Sequence, residues 1–245
     1  MLKKGTPIFL WILVFYLAWT YTPAGEQMSQ WLFDWQTDQQ PIWTQNGIDS
    51  MLNDLPTLEY SQLDKKYRKY VESLDPRQPE LLEGQRFYVV SGMEIFRYVA
   101  GDFRIRDFLP RDSYFYRSLR PFSINRDQYW LVDKQLLYKV LELKDILYRK
   151  GYNEKGFQIV SGFHLPQKGD EIDGANMNRH LLGQAVEIEI RDVNGDGYSN
   201  QADKTLLFQL LDQQIIGNMG GIGRNAGTMS LDFDVRGYRA RWDQR

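Results

Sequence analysis

The stretch NMNRHLLGQAVEIEIRDVNGDGYSN, residues 176–200, carries the signals that decide the fold. Within it AVEIEI, residues 185–190, alternates apolar and acidic side chains, which predicts a β-strand with two different faces. His180 precedes this strand and Glu187 lies within it, and imidazole and carboxylate are ligand types of catalytic metal sites. The segment that follows has the pattern of a calcium loop. The stretch therefore predicts two separate cation sites at the ends of one strand.

DVNGDGYSNQAD, residues 192–203, has oxygen-bearing groups at the ligand positions of an EF-hand type loop. Gly197 stands where such a loop turns sharply. An Asx-rich turn without an ion is the alternative. DVNGDG also resembles the calcium loops of dockerin modules, but only one such loop is present, so we expect a single structural calcium ion. Its ligands would be Asp192, Asn194, Asp196, the Tyr198 carbonyl, Asn200 and Asp203.

The composition fits one sizeable domain, or one domain with a small accessory, because 245 residues with 42% apolar residues can bury a substantial core. The formal net charge of -2 gives no support for nucleic-acid binding. Cysteine is absent, which excludes disulfides and thiol catalysis. His164 and His180 are the only histidines, so a conventional multi-histidine zinc site would use both.

Residues 1–24 read as a signal peptide or a membrane anchor. Lys3 and Lys4 precede an apolar stretch from Ile8 to Trp19, which is of signal-peptide length and shorter than the usual spanning helix. A buried N-terminal core helix is the alternative. Both export interpretations predict a periplasmic or cell-envelope protein, with an inner-membrane anchor if the segment is retained.

The rest of the chain divides into a lead-in or stalk, residues 25–85, and a main domain, residues 86–245. Apolar spacing predicts a helix from Leu131 to Lys150 and another over residues 206–214. We expect two or three strands within residues 86–110, with turns at Gly92 and Gly101. Further expectations are a buried strand at 157–163, a polar loop at 164–177, a glycine turn at 217–224 and a last strand at 230–235. Helices against a mostly antiparallel sheet make the fold class α+β.

The order of motifs in the main domain resembles the zinc D-alanyl-D-alanine peptidases, which share their fold with the hedgehog signalling domain. The motifs are SGF at 161–163, HLLGQAVE at 180–187, GGIGR at 220–224, DFDVRG at 232–237 and RARW at 239–242. The resemblance covers residues 103–242, and FRIRDFLP, residues 103–110, resembles the opening strand. It implies an antiparallel sheet with flanking helices and a metal-dependent activity on peptidoglycan stem peptides.

The resemblance also implies roles for individual residues. The family pattern SxHxxGxAxD falls on Asn178, His180, Gly183, Ala185 and Glu187, so His180 and Glu187 would bind the metal. Asp232 stands at the third ligand position, where the family has histidine, and Asp234 would assist proton transfer. His164 stands where the family has a carboxylate-binding arginine, and would contact substrate or replace a ligand. One imidazole and two carboxylates would hold zinc or a harder divalent cation.

Each of these residues also has a plain structural interpretation. His180 would cap a loop, and Asp232 and Asp234 would be the solvent-facing acids of an alternating strand. Three functions therefore remain open: a divergent metallopeptidase of cell-wall peptides, an inactive relative that binds wall peptide or a protein, and a calcium-dependent interaction protein.

Overall fold

The computed structural model describes residues 23–37, 39–110, 127–167, 170–172 and 177–244. The first 22 residues of the expected signal or anchor segment lie outside these ranges, as do parts of the expected polar loop. None of the described helices has the length and hydrophobicity that crossing a membrane requires. The described residues form a mixed α+β fold with a mainly antiparallel arrangement of strands, in agreement with the predicted fold class.

A five-stranded sheet lies at the centre of the candidate site. Its strands are β6 (Phe157–Ser161), β7 (Ala185–Ile190), β8 (Gly221–Asn225), β9 (Ser230–Asp234) and β10 (Ala240–Gln244), in the order β10-β8-β9-β7-β6. All neighbours are antiparallel except β10, which runs parallel to β8.

The alternation of AVEIEI gives this sheet one apolar and one polar face, and the predicted strand is confirmed. Val186, Ile188 and Ile190 are almost fully buried in the core. Glu187 and Glu189 project to the opposite face, because successive side chains of a strand alternate. The same alternation along β9 buries Leu231 on the apolar face. The polar face of the sheet is therefore free to carry a site.

Two predicted helices are confirmed, with adjusted ends. The helix of the central region, α6, spans Lys134–Arg149. At its start the Asp133 side chain accepts a hydrogen bond from the Gln135 amide. Gly151, with a φ of 73°, follows the end of the helix. The helix after the calcium-type loop, α7, spans Gln201–Leu210 and continues as a π-helix over Leu211–Ile215. It begins five residues earlier than its apolar pattern indicated, because Asn200 and Asp203 form a capping box.

The region expected to be a loose lead-in packs into the same hydrophobic core as the main domain. Its helices are α1 (Pro23–Thr37), α2 (Gln45–Asn53), α3 (Lys65–Leu74) and α4 (Gln78–Leu82), and Ile48, Val71 and Leu82 are fully buried within the shared core. Strand β1 (Thr57–Glu59) pairs with β2 (Arg86–Ser91), which pairs with β5 (Asp127–Trp130). The expected boundary at residue 85 therefore falls inside a sheet. This packing was not evident from the sequence because the buried residues are spread over several short helices and strands.

One further expectation needs correction, and another is confirmed. FRIRDFLP is mainly helical: β4 covers only Phe103–Arg104, and α5 spans Ile105–Phe108, with the Asp107 carboxylate accepting from the Arg104 amide. With β2 and β3 (Tyr98–Ala100), β4 completes the expected strands of residues 86–110.

The glycine turn and the last strand also differ from expectation. GIGRN, within the expected turn, is strand β8, and β10 follows the strand that was expected to be last. Cβ atoms at Gly221 and Gly223 would collide with the Trp242 ring, so the lack of a side chain at both positions leaves space for the indole.

Gly183 provides a test of the fold. It has φ 64°, and a Cβ atom there would collide with the backbone carbonyl of Leu131. We expect Gly183→Ala to destabilise the protein by at least about 3 kcal/mol, because strain and a backbone clash add. Gly84 has φ 75° and open space around its Cβ position, so the control Gly84→Ala should cost roughly 1 kcal/mol. Chemical denaturation measures both, and equal losses would contradict the packing of Gly183.

Candidate functional site

A cleft of about 630 Å³ opens on the polar face of the five-stranded sheet. All five residues that the resemblance assigned to catalysis or metal binding line it: His164, His180, Glu187, Asp232 and Asp234. They come from β7, β9, the 3₁₀ turn Arg179–Leu182 and the segment after β6. Residues distant along the chain therefore line one cleft.

His180 is held in one orientation by the backbone around it. The Asn178 side chain accepts from the His180 amide at 3.0 Å, and the side chain of His180 is 10% exposed. The imidazole Nδ1 lies 2.7 Å from the carbonyl oxygen of Gly162. Because a carbonyl oxygen can only accept, Nδ1 carries the hydrogen. Nε2 is then the ring nitrogen directed into the cleft.

Nε2 of His180 is directed at a carboxylate. Nε2 of His180 lies 3.4 Å from Oδ1 of Asp232, and both residues are buried. A charge-assisted hydrogen bond would be shorter, about 2.7–2.9 Å. Two ligands of one tetrahedral zinc ion, each about 2.0–2.2 Å from the metal, lie roughly 3.3–3.6 Å apart. The separation thus fits two atoms that share a cation, and the Gly162 carbonyl is the usual kind of partner for the far nitrogen of a metal-binding histidine.

Glu187 lies directly across from Asp232 in the β7–β9 pair, so both carboxylates are on the cleft face. Its Oε1 accepts from Nδ2 of Asn225 at 3.3 Å. Among the described residues, no group of three or more histidine, aspartate and glutamate side chains is close enough together to hold a metal ion. The positions of His180 and Asp232 therefore suit two ligands of one metal ion. Glu187 lies beside them, and its carboxylate accepts a hydrogen bond from the side-chain amide of Asn225.

His164 stacks on His180, with ring centroids 5.0 Å apart and planes 19° apart. Its Nδ1 lies 3.0 Å from the carbonyl oxygen of Leu165. Burial lowers the pKa of His164, and the positive charge of a protonated His180 would lower it further. The ring is therefore neutral near neutral pH and does not suit the carboxylate-binding role that the resemblance assigned to it.

Asp234 does not suit the assigned role in proton transfer either. Its carboxylate accepts from the Gly221 amide at 2.9 Å and from the Arg236 guanidinium at 2.6 and 2.9 Å, and the residue is 1% exposed. With both oxygens engaged by these donors, the carboxylate is poorly placed to exchange a proton with substrate. The sequence predicted a role for Asp234 but gave no sign of its pairing with Arg236. Arg236 reaches Asp234 only because the chain turns after β9.

The sequence analysis also missed Arg179 and Trp242 as cleft residues. Arg236 and Arg241, the other arginines of the cleft, are bound to Asp234 and Asp212. The Arg179 guanidinium makes one long hydrogen bond, of 3.3 Å, to the Tyr238 hydroxyl, and its Nε has no partner in the described part of the chain. Only the position of Arg179 next to His180 could have indicated it.

The loop at residues 192–203 has part of the geometry of a calcium site. Oδ1 of Asp192 and Oδ1 of Asn194 both accept from the Asp196 amide, at 3.0 and 2.9 Å, so these oxygens converge. The positive φ angles of Gly195 and Gly197 allow the tight turn.

Asp203, the twelfth residue of the loop, has a structural role. Asp203 is fully buried and accepts from the amides of Val193, Asn194 and Asn200. Burial raises the pKa of Asp203, but these backbone hydrogen bonds outweigh it and hold the pKa below its usual value. Asp203 thus ties the loop to α7 whether or not an ion binds. Tyr198 is exposed, in keeping with a contribution through its backbone alone.

Comparison with protein-family models, with curated proteins and with solved structures found no match to this chain.

The buried His164 predicts a pH dependence of stability. An unfolded histidine has a pKa of about 6.5, and the pKa of His164 in the folded protein is lower. Below about pH 6.5 the unfolded state therefore binds more protons, and the free energy of unfolding falls as the pH falls. We expect His164→Gln to lose less stability than wild type between about pH 7.5 and about pH 5 in urea titrations. Identical losses in the two proteins would contradict a depressed pKa.

Proposed function

We propose that the chain is a divergent metal-dependent peptidase that acts on peptidoglycan stem peptides outside the cytoplasm. One observation carries the proposal: Nε2 of His180, whose Nδ1 donates to the Gly162 carbonyl, lies 3.4 Å from an oxygen of Asp232 inside a cleft. A divalent cation between the ring nitrogen and the carboxylate would be bound by both at the spacing of two ligands of one zinc ion. The motif order from residue 103 to 242 supplies the peptidase and cell-wall parts of the proposal.

His180 and Asp232 would hold the metal, with Glu187 completing the set after releasing Asn225. A divalent cation bound there supplies Lewis acidity toward a peptide carbonyl and a water molecule. With one imidazole and two carboxylates, the ligand set suits manganese as well as zinc. The protein itself contributes the fixed His180 ring, the paired acids of β7 and β9, and the walls that exclude bulk water.

We assign substrate recognition to Arg179 instead of His164. Arg179 lines the cleft with unused donors, whereas His164 is neutral and stacked. A guanidinium binds a carboxylate through two parallel hydrogen bonds. The C-terminal carboxylate of a stem peptide would supply that group, which favours a carboxypeptidase. The Trp242 indole offers an apolar surface to the rest of the peptide.

A second candidate is an inactive relative that keeps the groove and binds wall peptide. It is favoured by the lack of a three-residue ligand group among the described residues and by the engagement of Asp234 with Arg236. We further propose that the loop at 192–203 binds calcium through the ligands predicted from its sequence. The converging oxygens of Asp192 and Asn194 support this. A protein whose only function is calcium-dependent binding would need the loop and not the cleft.

Metal analysis should separate the two cation sites. We expect the wild type to retain calcium and one transition-metal ion after dialysis against both. His180→Ala should lose the transition metal and keep calcium, because only the cleft loses a ligand. Asp196→Ala should lose calcium and keep the transition metal. Glu189→Gln is a matched control, since Glu189 is exposed on the same strand as Glu187 but outside the cleft. Retention of the transition metal by His180→Ala would refute the cleft site.

Hydrolysis of muropeptides tests the activity itself. We expect the manganese- or zinc-loaded protein to release a terminal amino acid, and His180→Ala to release none. Arg179→Gln should raise KM for a peptide with a free carboxylate about 10- to 100-fold, which corresponds to the loss of roughly 1.5–3 kcal/mol from a charged hydrogen bond. An amidated peptide should show no such increase. Binding of wall peptide without any product would favour the inactive relative.

A further inference from the structure

Helix α1 exposes an apolar stripe to solvent. Met28 is 42% exposed, Trp31 59% and Trp35 73%. Their spacing of three and four residues puts them on one face of the helix. Exposed apolar groups that cluster in this way mark an interaction surface more often than isolated ones do.

The opposite face of α1 is fixed to the protein. Phe33 is 6% exposed and packs against Phe96, with ring centroids 6.1 Å apart. Both carboxylate oxygens of Asp34 accept from Arg104, at 2.8 and 3.1 Å, and Arg104 is 5% exposed. Breaking such an ion pair would strand a buried charge. The helix therefore cannot roll to bury its tryptophans, and the apolar stripe stays directed outward.

The chemistry of the stripe fits a lipid–water interface. Tryptophan has a large apolar ring with one polar N–H, and it is enriched where a membrane meets water. The sequence of α1, PAGEQMSQWLFDWQT, contains no lysine or arginine, so attraction to anionic lipids does not drive the contact. Burial of apolar surface would drive it instead.

If the N-terminal segment is retained as an anchor, the sequence before α1 favours a bilayer as the partner. The apolar stretch Ile8–Trp19 ends four residues before Pro23, where α1 begins. Four residues span at most about 14 Å. If the apolar stretch enters a membrane, α1 must then start at the membrane surface, since the interfacial layer is roughly 5–8 Å deep on each side.

We propose that α1 lies in the plane of the membrane interface, with Met28, Trp31 and Trp35 directed into the lipid. This contact holds the domain against the bilayer in one orientation, because the Asp34–Arg104 pair fixes α1 to the core. The proposal does not depend on the peptidase activity, and it concerns a surface separate from the cleft.

The absence of cysteine allows single labels to test this contact. The full chain is reconstituted in phosphatidylcholine vesicles with a fluorophore on Trp31→Cys or Trp35→Cys, and quencher lipids carry bromine near the headgroup. The control is Tyr148→Cys, an aromatic position on α6 that is 71% exposed. We expect several-fold stronger quenching at both α1 positions than at the control, independent of the protein-to-lipid ratio and of salt. Thermal unfolding of each variant verifies that it folds.

Two results would overturn the proposal. Equal quenching at all three positions would show that α1 stays in water. Shielding of the α1 labels that rises with the protein-to-lipid ratio would show that the stripe contacts a second copy of the chain instead of lipid.

Discussion

The register of β7 against β9 is the constraint on which the site depends. It puts Glu187 opposite Asp232 and Ala185 opposite Asp234, with all four on the face away from the core. A slip of one residue would turn the acids into the core and the apolar residues Val186 and Phe233 out of it. The hydrophobic burial of those residues therefore sets the positions of the carboxylates. Stability and the chemistry of the cleft rest on the same pairing.

Each acid of the cleft floor has a different neighbour, and these neighbours determine what it can do. Asp234 is neutralised by Arg236 and serves the turn after β9. Glu187 accepts from the Asn225 amide, which relieves only part of its repulsion with Asp232. Asp232 faces Nε2 of His180 at 3.4 Å. The cation-binding potential of the floor is thereby concentrated at its centre.

The sequence was informative where one local pattern determined the structure. Strand β7 and helix α6 followed from periodicity, and motif order placed His180, Glu187 and Asp232 in one cleft, although the three do not form a metal-binding group in the described part of the chain. The sequence was uninformative where a contact between residues far apart along the chain determined the structure. The glycines of β8 read as a turn because the Trp242 ring that needs them arrives from β10. The core residues before residue 85 read as a stalk because partners such as β2 lie beyond that point. The stacking of His164 on His180, which removes its charge, had no local signal.

Helix α7 connects the loop at 192–203 to the neighbouring strands β8 and β10 at one edge of the sheet. At its start, Lys204 donates to the carbonyls of Asn225 and Thr228, at 2.8 Å each, beside the amide that holds Glu187. At its far end, Asp212 binds Arg241, the neighbour of Trp242 on β10. The loop, the helix and this edge of the sheet are therefore joined by side-chain contacts. An ion bound in the loop would be linked to the cleft through these contacts, although it binds outside the cleft.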